Sequence, residues 1–232
     1  MGRPTEHEVL AAVLQIRHAS LQVLAWQRAR PPDSGRWALP GGLLGDDEDV
    51  ERSVRRQLAE KVDVREVTHV EQIAVFSRPD RVPGVRRIAT AFLGLVPSDA
   101  DPAVPPDTAW HPLTALPDTA FDHVTIVAAA RDRLRAKLSY TNLGFALAPR
   151  EFAVSALRDL YAAALGHPVS ATNLQRVLTR RHVLEPTGGV APPGPTGGRP
   201  AALFRFTERT LRVTDAFAVL RPPGEATRSP VP

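Results

Sequence analysis

Pro40-Gly41-Gly42-Leu43-Leu44-Gly45-Asp46-Asp47-Glu48-Asp49 runs into Val50-Glu51-Arg52-Ser53-Val54-Arg55-Arg56-Gln57-Leu58-Ala59-Glu60-Lys61-Val62-Asp63-Val64, and the change of pattern inside this stretch decides the fold. From Asp49 the period is helical: Val50, Val54, Leu58 and Val62 recur every four residues and make one apolar stripe. Asp46, Asp47, Glu48 and Asp49 gather at the start of that helix, where its dipole favours negative charge. Working outward, the upstream chain reads as strands. Val9–Ile16 and Leu21–Gln27 are aliphatic runs separated by His18-Ala19-Ser20, a hairpin pattern, followed by a loop over Arg28–Arg36. Downstream, Val67–Phe76 and Val85–Val96 are strand-like, Pro97–Asp107 is a Pro/Asp-rich surface loop, and Asp122–Lys137 is a second helix.

The C-terminal third has a different character. A helix is expected from about Glu151 to Leu165, with Phe152, Leu157, Leu160, Tyr161 and Ala164 on or near one face. Gly166 supplies its C-cap and Pro168 blocks continuation. Ser170 is a good N-cap for another helix over Ala171–Arg181. At helical spacing Leu174, Val177 and Leu178 share one side, while Thr172, Asn173, Arg176, Thr179 and Arg180 share the other, as expected of a helix packed on a core and facing DNA. A Gly/Pro-dense loop over Pro186–Pro200 then precedes the strand-like Ala201–Phe206, the outline of a wing. Thr207–Leu220 reads as a short helix or strand.

Charge divides the chain in the same way. Of the net +4, residues 1–140 contribute −1 and residues 141–232 contribute +5, and all eleven cations of the second part are arginine. Arginine suits bidentate phosphate and guanine contacts, so the basic module points to nucleic acid; an ordinary arginine-rich surface is the alternative reading. At 232 residues the chain exceeds the roughly 100–150 residues of a common single core, so two small cores are expected. Zero cysteines exclude disulfides and thiolate zinc sites. The seven histidines include no HxxxH pair and read as structural or surface residues. No apolar run approaches the roughly 20 residues of a spanning helix, and the N-terminus is polar and charged, so a cytoplasmic protein without membrane attachment is expected.

Residues 40–64 resemble the Nudix box, whose pattern is GxxxxxE, seven residues, then REUxEExGU with U aliphatic. Gly42, Glu48, Arg56, Leu58, Glu60 and Val64 match at their positions. The resemblance continues through Trp110-His111-Pro112-Leu113, Leu116-Pro117, Phe121-Asp122-His123 and Arg133–Thr141. It then passes into the second module at Phe152, Leu157, Tyr161, Leu165-Gly166, Asn173, Arg176, Arg199-Pro200-Ala201 and Leu203–Phe206. Over roughly residues 8–206 the chain looks like the Nudix-related transcriptional regulators, the NrtR family.

That resemblance implies an α+β protein: a Nudix fold, a mixed sheet sandwiched by helices, followed by a winged helix-turn-helix. The expected boundaries are 1–141 for the effector-binding domain, 142–149 for a connector, 150–221 for the DNA-binding domain and 222–232 for a disordered tail. It also implies a homodimeric repressor of NAD metabolism genes, released from double-stranded operator DNA by ADP-ribose or a related nucleotide. Asn173 and Arg176 would lie on the recognition helix with Thr172, Thr179 and Arg180, and Arg199 would serve the wing.

The departures from the box fall where its chemistry lives. The family's glutamates at these positions hold divalent cations against a pyrophosphate, and hard cations want several anionic oxygens. Here positions 57, 60 and 61 are Gln57, Glu60 and Lys61, one carboxylate beside an ammonium, and Asp63 replaces the usual glycine. A unit charge pair about 4 Å apart interacts by about 4 kcal/mol at an effective dielectric near 20, and a divalent ion would feel roughly twice that repulsion from Lys61. Neither metal nor catalysis is therefore expected. Lys61 reads either as a solvated surface lysine or as the cation that replaces the metal against the pyrophosphate. The resemblance implies a structural role for Glu48 and Arg56, as partners holding loop to helix, with ligand contact as the alternative. Arg36, Arg78, Arg86 and Arg87 are further candidates for the phosphates, and Trp37 for stacking on adenine or packing beside the Pro-Gly-Gly turn. The competing functions are an active Nudix hydrolase of ADP-ribose or another nucleoside diphosphate derivative, with a distant acid such as Glu71 assisting, and a protein-interaction module. The segment Asp122–Thr141 is the expected lever between modules.

Overall fold

The computed structural model describes residues 4–62, 64–191 and 200–215. Its centre is β1 (Thr5–Arg17), thirteen residues buried continuously from Glu8 to Ile16 because both faces are covered. Alternation along the strand feeds two cores. Val9, Ala11 and Val13 pack with Val54, Leu58 and Val62 of α1 (Val50–Val62), whose apolar stripe is the one the sequence displays. Leu10, Ala12, Leu14 and Ile16 pack with Ile126, Val127, Ala130 and Leu134 of α2 (His123–Tyr140) on the opposite face.

The hairpin from β1 to β2 (Ser20–Gln27) turns on His18 and Ala19, both at positive φ (50° and 59°), the two-residue geometry that matches strand twist. β3 (Trp37–Ala38), β4 (Gly41–Leu43), β5 (His69–Phe76), β6 (Arg86–Leu95) and β7 (Thr108–Pro112) complete a seven-stranded sheet. Its main path runs β3-β2-β1-β6-β5, with β4 on β1 and β7 on β2. The β1–β6 pair is parallel and the others antiparallel, so the sheet is mixed and helices cover both faces, the α+β arrangement expected.

Residues 142–148 are not an exposed linker. Asn142, Leu143, Gly144, Phe145, Ala146, Leu147 and Ala148 are all buried, with a 3-10 turn over Leu143–Ala146. Through them the core around α2 continues without a break into the second module. That module comprises β8 (Phe152–Ala153), α3 (Val154–Leu165), α4 (Ala171–Arg180), β9 (Leu184–Val190) and β10 (Ala202–Phe206), with strand order β8-β10-β9.

Phe152, expected on a helix face, instead sits in a strand paired with Phe204, its ring 5.4 Å from that of Phe206. A three-stranded sheet claims the residues that helical periodicity would assign to α3. Gly166 ends α3 at φ 78°, and the Ser170 hydroxyl caps α4 by accepting from the Asn173 N–H. The expected wing loop starts later than Pro186, because β9 runs on to Val190. Residues 207–215 form no helix; they return to α2, where Val213 bridges Thr141. Residues 192–199 and 216–232, which include Arg199 and the expected tail, lie outside the described residues, as does Asp63.

Candidate functional site

Two glycines bring β4 against the sheet and α1. A Cβ on Gly41 would stand 2.2 Å from the Val9 carbonyl oxygen, and one on Gly42 would stand 2.6 Å from the Gln57 amide. With β4 so close, the loop leading to α1 is held by Glu48. Its carboxylate accepts from Arg56 Nε (2.9 Å) and from the Gly45 N–H (2.9 Å), and pairs with a second Arg56 nitrogen. The Arg56 hydrogen bonds, followed by the Gly45 amide, hold the Glu48 carboxyl down to about 2. Arg56 also donates to Glu60 at 3.1 Å. The matched residues of the box thus form a loop-to-helix clasp, and its one remaining carboxylate among positions 57, 60 and 61 is tied to arginine.

Gln57 is buried under Gly42. With its amide nitrogen toward the Gly41 carbonyl it donates at 3.3 Å, and its oxygen accepts from Arg56 at 3.2 Å. Lys61 is exposed as a residue, yet its Nζ turns inward, donates to the same carbonyl at 2.5 Å and lies 6.0 Å over the Trp26 ring. Burial, and then the charge of Arg56, pull the ammonium below its ordinary range.

Lys61 lines a cleft of about 260 Å³ with Glu8, Trp26, Arg28, Arg87 and Phe121. Arg87 pairs with Glu6 and Glu8 on the adjacent strand. Arg28 stacks on Trp26 (6.0 Å) and on Phe121 (4.8 Å). Beneath them Arg81, its guanidinium fully buried, bridges Glu8 and Asp122, the latter through bonds of 2.9 and 2.7 Å. His123, buried behind the cleft, accepts the Leu39 N–H on Nδ1 at 2.9 Å, and burial pulls it down to about 4, so the ring is neutral.

The remaining candidates separate. Trp37 packs edge-on against His111 at 4.1 Å, beside a void of only about 10 Å³. Arg36 and Arg78 line a different cleft, of about 380 Å³. Arg86 donates to the Ser77 carbonyl at 2.7 Å and lines neither cleft. Of the six candidates, Lys61 and Arg87 meet in the first cleft, and Arg36 and Arg78 in the second. Sequence reading missed Trp26 and Arg28, although Trp26 alternates with Leu24 along the second strand and Arg28 follows directly after its end. It also missed Glu8 and Arg81, which reach the site from distant segments and carry no local signal, and Phe121, present in the family resemblance, was not read as lining the cleft.

A divalent cation does not fit this donor set. Glu6 and Glu8 are engaged by arginine as Glu48 and Glu60 are, an ammonium fills the remaining corner, and among the described residues no group of three or more acidic or histidine side chains is placed to hold a metal. Glu71 stands elsewhere, on β5 against α2, 2.9 Å from Lys137 and 3.3 Å from His69. There burial raises its carboxyl, but hydrogen bonds from His69 and Lys137 outweigh this and leave it lowered.

At the other end of α2 the second module offers a different surface. Thr172, Asn173, Arg176, Thr179 and Arg180 are all exposed on α4, opposite buried Leu174 and Leu178. Arg176 donates to the Asn173 side-chain oxygen at 2.8 Å, which holds the two side chains as a pair. Arg181 ties this helix to the end of α2, donating to the Ser139 carbonyl at 2.9 Å and pairing with Asp215 at 2.7 Å. No helix among the described residues is long and apolar enough to cross a membrane.

A family model described as the NUDIX domain matches residues 6–130, and one described as the NrtR DNA-binding winged helix domain matches residues 144–206. The ADPR responsive transcriptional repressor NtrR of Acinetobacter baylyi is 31% identical over 205 residues, covering 84% of this chain and 79% of its own. The crystal structure of Shewanella oneidensis NrtR complexed with a 27mer DNA superposes with a TM-score of 0.73 at 29% identity, covering 86% of this chain and 93% of that one. The NUDIX domain of the same NrtR complexed with ADP ribose matches with a TM-score of 0.50 at 29% identity, over 57% of this chain and 90% of that one.

Proposed function

The chain belongs to the NUDIX domain family and, within it, to the NrtR-type regulators that carry a winged helix, and from that premise we propose that it is an ADP-ribose-responsive transcriptional repressor. ADP-ribose, or a related NAD-derived nucleotide, enters the cleft at Lys61 and lowers affinity for operator DNA held by α4. The observation that carries this reading is the continuity of α2. It begins with His123 at the cleft and ends with Ser139 and Tyr140 bonded to the winged-helix module, so one rigid helix of about 27 Å joins effector to DNA surface. A ligand shifts such a system only through its differential affinity for the two arrangements of that joint.

The box binds without cutting. Gln57 and Lys61 leave no oxygen cage for a divalent ion, and the Lys61 ammonium takes the place of the metal against the diphosphate, with Arg87 beside it. Effector binding is therefore metal-independent. The functional division follows the expected boundaries, with effector binding in residues 1–141 and DNA binding in 150–221. On the DNA side Thr172, Asn173, Arg176, Thr179 and Arg180 face the major groove, and Arg199 serves the wing. The active species is a cytoplasmic homodimer on an inverted-repeat site, and its targets are genes of NAD metabolism. Gel shifts with upstream DNA of such genes, with and without ADP-ribose, test the reading: release of a sequence-specific complex is expected, and rapid turnover of ADP-ribose with magnesium or manganese overturns it.

A further inference from the structure

The cleft at Lys61 holds about 260 Å³, below the roughly 300–1,000 Å³ of sites that enclose organic ligands. ADP-ribose, with an adenine and two riboses strung on a diphosphate, is too long for it. Back to back with this cleft lies the second one, of about 380 Å³, whose lining includes Asp33, Arg36, Arg78, Asp80 and Val124. Phe121, Asp122 and His123, at the entry to α2, form the wall between them. Phe121 lines both clefts, Asp122 faces the second and His123 the first.

That wall is held under constraint. Phe121 sits at φ 52°, a left-handed conformation that bulky residues rarely adopt. Its N–H donates to the Asp33 carboxylate at 2.9 Å, and Asp33 is itself left-handed at φ 61°. The far compartment has the chemistry of a sugar site: the Asp33 and Asp80 carboxylates can accept from a vicinal diol, and the guanidiniums of Arg36 and Arg78 can donate to oxygens. Among the described residues Arg78, 79% exposed, pairs with nearby Asp80 alone, and Arg36 reaches Asp33 only at 3.9 Å, so both are available.

We propose that one effector molecule occupies both clefts. Its diphosphate lies against Lys61, Arg28 and Arg87, and a ribose-bearing end passes over the Phe121 ring to Arg36 and Arg78. The proposal rests on the ADP-ribose reading above and adds a second compartment to it, which is also how the site distinguishes a sugar-extended diphosphate from a bare one. It accounts for two arginines that the first cleft leaves unused. It also places the ligand astride the start of α2, the helix that leads to the DNA module.

The test compares ADP-ribose with inorganic pyrophosphate by calorimetry on the full chain in EDTA, for the wild type, Val124→Trp and Arg78→Ala. Val124 is half exposed on α2, so the tryptophan fills the second cleft without entering the core. Both variants are expected to bind pyrophosphate as the wild type does and ADP-ribose at least tenfold more weakly. ADP-ribose affinity within twofold of wild type in both variants overturns the two-compartment site while leaving the effector reading intact. Loss of pyrophosphate from Arg78→Ala also overturns it, since that arginine would then serve the first cleft. A wild type that takes pyrophosphate and ignores ADP-ribose sinks the effector reading, and this proposal with it.

Discussion

Replacing Lys61 by methionine keeps the length and removes the charge, so it isolates the ammonium that stands among the residues of the box. In the fold that ammonium is anchored on the Gly41 carbonyl and half withdrawn from water beside Trp26, its position fixed before any ligand arrives. A hydrogen bond to a charged group is worth about 1.5–3 kcal/mol, and one made by a pre-placed donor belongs toward the top of that range. Lys61→Met is therefore expected to weaken ADP-ribose by about 10–150-fold. Folding stability should change little, because the residue is exposed and the Gln57 amide remains a donor for the Gly41 carbonyl. Calorimetry in EDTA reads the affinity, and thermal unfolding serves as control. A variant that binds as tightly as wild type would show that the ammonium does not hold the ligand, and wild-type affinity that collapses on chelation would show that a metal does.

Four further expectations follow from the same geometry. The double substitution Gln57→Glu with Lys61→Glu should convert metal-independent binding into binding that requires magnesium or manganese, read as an affinity gain on adding the ion. Arg176→Ala should leave the fold intact and cost about 1–3 kcal/mol of operator binding, with the loss concentrated on the specific sequence; an equal loss on every duplex would make it a phosphate contact. Arg81→Met should destabilise the protein by about 3–5 kcal/mol in urea unfolding, because it leaves Glu8 and Asp122 facing each other without the buried cation. His123 is buried and held down to about 4, so the unfolded chain binds a proton that the folded chain refuses as pH falls below the ordinary 6.5. Stability should then drop by about 2 kcal/mol between pH 7 and pH 5, before carboxylates begin to titrate, a loss that His123→Asn removes.

Much of the fold could be read from the sequence because local pattern and burial agree there. Val50, Val54, Leu58 and Val62 announce the buried stripe of α1, and the polar face of α4 is laid out opposite Leu174 and Leu178. The reading fails where tertiary partners override local pattern. Phe152 runs straight into the apolar face of Leu157, Leu160 and Tyr161, yet β10 takes it into a sheet. Leu143, Phe145 and Leu147 sit between modules in the sequence but inside the shared core in space. The site shows the same division. The Glu48–Arg56 clasp and Lys61 lie within one contiguous motif and could be found by spacing. Arg81 reaches Glu8 across 73 positions and Asp122 across 41, separations that no pattern in a single sequence reports. Trp37 reads from the sequence as stacking on adenine or packing beside the Pro-Gly-Gly turn, and its partner His111 arrives from β7, beyond the reach of local pattern.

The most direct test of a nucleotide-gated repressor with an inert Nudix box is a single anisotropy titration of labelled operator DNA in EDTA, with and without ADP-ribose, followed by assay of the ADP-ribose recovered. A weaker complex is expected in the presence of the nucleotide, with full recovery of the nucleotide, including when magnesium is restored. Operator affinity indifferent to ADP-ribose would exclude gating by the nucleotide, and its conversion to AMP and ribose 5-phosphate once metal is added would exclude an inert box.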